Sequence, residues 1–62
     1  MTHRAQVEHL ADIAHDGVVH HDVPPSEAVD MLLNEVLPNG MPIGARQTLK
    51  EDILAAVRRR LH

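Results

Sequence analysis

Two proline-bearing breaks, Pro24-Pro25 and Pro38-Asn39-Gly40, divide this 62-residue chain into three stretches. Proline lacks the amide N–H that a helix interior needs, and it pushes the residue before it out of the helical region. Asn39 and Gly40 add turn chemistry, because both tolerate positive φ. Within each stretch the apolar residues return at the spacing of one helix face. The sequence therefore predicts an all-α fold: a compact three-helix bundle, one domain over 1–62, with helices at about 3–16, 25–37 and 45–61.

In the first stretch Val7, Leu10, Ala11, Ala14 and Val18 make one narrow stripe. Thr2 is a candidate cap, and Gly17 stands where a left-handed residue would end the helix. Val18, Val19 and Val23 are β-branched and admit a short extended segment at 18–23. In the second stretch Pro25 suits a first helical turn, and Glu27 complements the positive end of the helix dipole. Its apolar residues, Ala28, Val29, Met31, Leu32, Leu33, Val36 and Leu37, form a face wider than one neighbouring helix covers. Met41 and Ile43 are expected to pin the following loop onto the core. In the third stretch Leu49, Ile53, Leu54, Val57 and Leu61 share a stripe. Thr48 and Glu51 match a capping box; the alternative start, nearer Ala45, leaves Thr48 inside the helix.

A chain this short buries only about 60% of the surface its unfolded form exposes, so its core is marginal. It has no cysteine, which excludes disulfides and thiolate metal sites, and no Phe, Tyr or Trp to enlarge the core. Small domains with neither staple nor metal commonly rely on a partner, so a homodimer or a complex with another protein is expected. No apolar run approaches the ~18 residues of a membrane span, and no leader, lipidation or retrieval motif is visible, so the cytoplasm is the expected setting.

Charge is sorted along the chain. Residues 1–45 carry seven of the nine acids and only Arg4 among the bases; residues 46–62 carry the other five bases. Such sorting marks either an interacting face or segments that attract one another in the fold. Arg58, Arg59 and Arg60 have only Leu, Ala and Val three and four residues before them, so they have no carboxylate on their own helix. They complement the negative end of the helix dipole, and they are free for acids on the other helices or on another molecule.

Nucleic acid is one reading of that basic helix. A net charge of −3 and the lack of any aromatic for base stacking count against it. An extended segment at 18–23 followed by two helices superficially resembles a ribbon-helix-helix layout. Its ribbon would present Val-Val-His-His-Asp-Val to the major groove, without the basic or amide side chains that read bases.

His15, Asp16, His20, His21 and Asp22 cluster, with His3 and His9 upstream, but their spacing matches no metal-site pattern. His3, His9 and His15 step six residues at a time around a helix, not along one face. No metal and no cofactor are expected, and solvated histidines are the simpler reading beside a metal- or pH-responsive switch. Thr2, Ser26 and Thr48 each stand near an expected helix start, where capping explains them. No phosphate-binding loop follows Gly40 or Gly44, and catalysis is not expected.

The composite expectation is a small helical interaction module, a regulator, adaptor or accessory subunit that works by binding and is not an enzyme. Met31, Leu32, Val36 and Leu37 are the expected anchors, with Arg58 and Arg59 at the rim. The alternative is a dimeric DNA-binding regulator using the basic last helix. Salt separates the two, because phosphate contacts weaken steeply with added salt whereas apolar assembly does not.

Overall fold

The computed structural model describes residues 3–36 and 42–61, and these form three helices: α1 (His3–His21), α2 (Pro25–Val36) and α3 (Ile43–Arg60). Each helix packs on both of the others, so the all-α three-helix bundle expected from the sequence is the fold. No described residue lies in a strand.

The core is entirely aliphatic. α1 supplies Val7, Leu10, Ala11 and Ala14; α2 supplies Ala28, Val29, Leu32 and Leu33; α3 supplies Leu49, Ile53, Ala56 and Val57. These positions recur three and four residues apart, which keeps each set on one side of its helix. Leu33, Ile53, Val29 and Val57 are the largest fully buried side chains. The alanines at 11, 14, 28 and 56 take little room, so the helix axes can approach closely without aromatic filler.

Polar contacts between helices reveal the topology. His3 meets Asp52 and Glu8 meets Arg60, so α1 and α3 run in the same direction. Asp30 meets Lys50 and Asn34 meets Arg46, so α2 runs against α3. The bundle is up-down-up.

The first helix corrects the reading of 18–23. Residues 18–21 continue α1, and only Asp22, Val23 and Pro24 stand outside a helix. Val18 packs against the core one turn beyond Ala14, and that burial outweighs the ~1 kcal/mol a mid-helix glycine costs. The role assigned to Gly17 falls to Asp22, whose φ of 54° places it in the left-handed region just after the last helical residue. Aspartate tolerates this conformation better than most residues. Val23 then packs on the core from the short link.

α2 starts at Pro25 as expected, with the amide of Ala28 donating to the carbonyl of Pro24 at 2.9 Å. α3 starts at Ile43, which favours the earlier of the two starts weighed. The Thr48–Glu51 capping box does not form. Thr48 lies inside the helix and its hydroxyl donates to the carbonyl of Gly44 at 3.0 Å, the back-bond usual for a mid-helix threonine. Glu51 instead accepts from Gln47 at 3.5 Å. Ile43 does not pin the loop: it is 86% exposed. Thr2, Leu37, the Pro38-Asn39-Gly40 turn and Met41 lie outside the described residues. At the far end the amide of Leu61 donates to the carbonyls of Val57 and Arg58 at 3.2 Å and closes the last turn.

Candidate functional site

Helix α3 carries most of the cations, and the contacts of those cations explain the charge sorting. Lys50 Nζ lies 2.9 Å from an oxygen of Asp30, and Arg46 donates to Asn34 at 2.7 Å; both tie α3 to α2. On the other flank Arg60 bridges two acids of α1. It pairs with Glu8 at 2.5 Å, donates to the Glu8 carbonyl at 3.2 Å and pairs with Asp12. Arg59 stands 3.8 Å from Glu8 and is largely exposed. Arg58 is exposed and makes no ion pair among the described residues. The arginine run is thus split, with Arg60 engaged inside the fold and Arg58 left in solvent.

The third edge of the bundle, where α1 meets α2, shows no such ties among the described residues. A groove of about 200 Å³ runs along it, floored by Gly17, Ala28 and Leu32 and flanked by Ile13 and Met31. Ile13 is 46% and Met31 53% exposed, although both belong to helices that bury other apolar residues well. Gly17 helps to open the groove: a Cβ there would meet no atom within 4 Å. His21 and Glu35 are its polar lining.

The acids of α2 on this edge have no partner among the described residues. Glu27, Met31 and Glu35 succeed one another every four residues and so lie along one line of α2. Glu27 and Glu35 are exposed and make no ion pair or hydrogen bond among the described residues. The neighbouring acid of α1, Asp16, is paired with His20 at 3.1 Å.

Of the anchors expected from the sequence, Met31 and Leu32 come together on this groove, Met31 exposed and Leu32 largely buried. Val36 is 48% exposed at the end of α2, and Leu37 lies outside the described residues. Arg58 and Arg59 do not line the groove. Sequence reasoning missed Ile13, Gly17 and Glu35. Ile13 falls outside the α1 stripe, which was the available signal: a large apolar residue on an otherwise polar flank.

All the described histidines lie on α1. His3 pairs with Asp52 of α3 at 2.9 Å, and His20 pairs within its own helix. Among the described residues no three His, Asp or Glu side chains converge in a way that could hold a metal ion. A second hollow, of about 350 Å³, is lined by His3, Gln6, Ala45, Thr48 and Leu49; its only hydroxyl is the one engaged with Gly44. No described helix is long and apolar enough to cross a membrane. Comparison with known proteins finds no matching family model, no similar curated protein and no similar solved structure.

Proposed function

We propose that this chain is a small helical interaction module of the cytoplasm, a regulator, adaptor or accessory subunit that works by binding another protein. The α1/α2 groove is the surface it uses. The observation that carries this reading is the pairing of Ile13 and Met31, each about half exposed, across an apolar floor that includes Ala28 and Leu32. An apolar strip of this kind, rimmed by charge, has the anatomy of a binding surface. The lack of aromatics points to modest affinity, because tight interfaces lean on Trp and Tyr anchors.

The alternative, a DNA-binding regulator built on the last helix, has less support. Arg46, Lys50 and Arg60 are engaged with α1 and α2, which leaves too few free cations on α3 for a phosphate footprint. The extended ribbon such a reading would use is also helical over 18–21.

The test is capture from nuclease-treated lysate of the source, with three baits: the native chain, Met31→Glu, and the pair Arg58→Ala with Arg59→Ala. A stoichiometric protein retained by the native chain and by the arginine variant, but lost with Met31→Glu, is the expected result. A partner indifferent to Met31→Glu would move the site away from the groove. Recovery of nucleic acid alone before nuclease would replace this reading with the alternative.

A further inference from the structure

We infer that the α1/α2 groove takes an amphipathic helix of another protein, one whose aliphatic stripe is flanked by lysine or arginine. The inference rests on the proposed role of the groove and names the chemistry of its occupant.

Charge selects the occupant. The acids of α1 and α2 that face α3 have its cations beside them: Asp30 has Lys50, Asp12 has Arg60, and Glu8 has Arg59 and Arg60. Glu35, which lines the groove, and Glu27, two turns before it on the same line of α2, have no such cation among the described residues. No lysine or arginine lines the groove. Two carboxylates flanking an apolar strip attract a cationic partner and repel an acidic one, and like charges brought together across an interface are costly.

The same charges disfavour a second copy of this chain laid with its α2 edge against the α2 edge of the first. A two-fold axis crossing the groove would set the patch against itself with the Glu27 and Glu35 edge of one protomer facing that of the other. Area points the same way. A standard interface buries about 800 Å² per partner. The whole chain exposes 4304 Å², so a stable dimer would claim close to a fifth of the molecule, well beyond this one groove. A single helix laid between α1 and α2 needs less, and it completes a four-helix arrangement. Helix-in-groove recognition reads side chains at i, i+3 or i+4, and i+7. The groove volume suits a leucine-sized anchor above Gly17, between Ile13 and Met31.

The experiment uses the full chain, labelled with ¹⁵N, and two synthetic helical peptides. They share one leucine and isoleucine stripe; one is flanked by lysine and arginine, the other by glutamate. The lysine/arginine peptide is expected to shift the amides of Ile13, Gly17, Met31 and Glu35 and to bind at least about tenfold tighter at low salt, a difference of about 1.4 kcal/mol. The double variant Glu27→Gln/Glu35→Lys should lose that preference. Glutamine is chosen at 27 because a cation in the first turn of α2 would oppose the helix dipole. Shifts in the groove with equal affinity for both peptides would overturn the cationic occupant and leave the groove as a docking site. Absence of groove shifts with either peptide would overturn both. Movement of the same amides on diluting the protein alone would make the occupant a second copy and overturn the inference.

Discussion

Replacing Arg60 by alanine should destabilise the bundle, whereas the same change at Arg58 should not. Arg60 is only 25% exposed at its side chain and engages Glu8 and Asp12 together. Exposed single pairs are worth about 0–1 kcal/mol, and networks with a partly buried arginine lie at the upper end. A loss of about 1 kcal/mol would lower Tm by about 4–8 °C in a domain of this size. Added salt should narrow the gap between native chain and variant. Equal melting curves for the native chain and Arg60→Ala would refute the internal role of this arginine. Two backbone positions allow further checks. Gly17 is helical with open space where a Cβ would sit, so Gly17→Ala should raise stability by about 0.5–1 kcal/mol. Asp22 has positive φ, so Asp22→Val should lower Tm while Asp22→Gly should not. Thermal melts followed by circular dichroism read all three sites.

At the scale of the helices, the periodic core residues were legible and the ends were less so. Every residue of the buried core except Ala56 was readable from three- and four-residue spacing, because one-sided burial leaves that signature directly in the order of residues. The helix ends depend on competing local and tertiary terms. A valine run after a glycine reads as extended by propensity, yet Val18 extends the core and carries α1 to His21. Thr48 and Glu51 have capping-box spacing, but α3 begins before them at Ile43 and the threonine hydroxyl finds the carbonyl of Gly44 instead. The groove was half legible. Met31 and Leu32 belong to the over-wide face of α2, whereas Ile13 and Glu35 gain meaning only when α1 and α2 are set side by side. A consequence at this scale is that Met31→Glu, on an exposed stretch of α2, should leave stability within about 0.5 kcal/mol of native. A large drop in Tm would show that Met31 belongs to the core and not to a surface.

For the whole molecule, stability of about 0.05–0.15 kcal/mol per residue leaves a chain of 62 residues only a few kcal/mol above unfolding. Leu33 is fully buried among aliphatic side chains, and Leu33→Ala should cost about 2–5 kcal/mol, enough to remove most of that margin. Far-UV circular dichroism at room temperature would then show a partly unfolded chain; a native-like spectrum and melt would contradict the assignment of Leu33 to the core. The sorted charges serve the same economy. α3 lies between two acidic helices and binds them on both flanks, which supplements a core without aromatics or disulfides. What remains unmatched among the described residues is the α1/α2 edge, with its apolar groove and the glutamates at 27 and 35. The most direct measurement of this account is sedimentation equilibrium of the purified chain at low salt across a wide concentration range. A single 6.9 kDa species at every concentration is the predicted result: the chain closes its own core and leaves the groove open for a partner of opposite charge. A stable dimer that dissociates with Met31→Glu would contradict it, because the groove would then be the seat of a second copy.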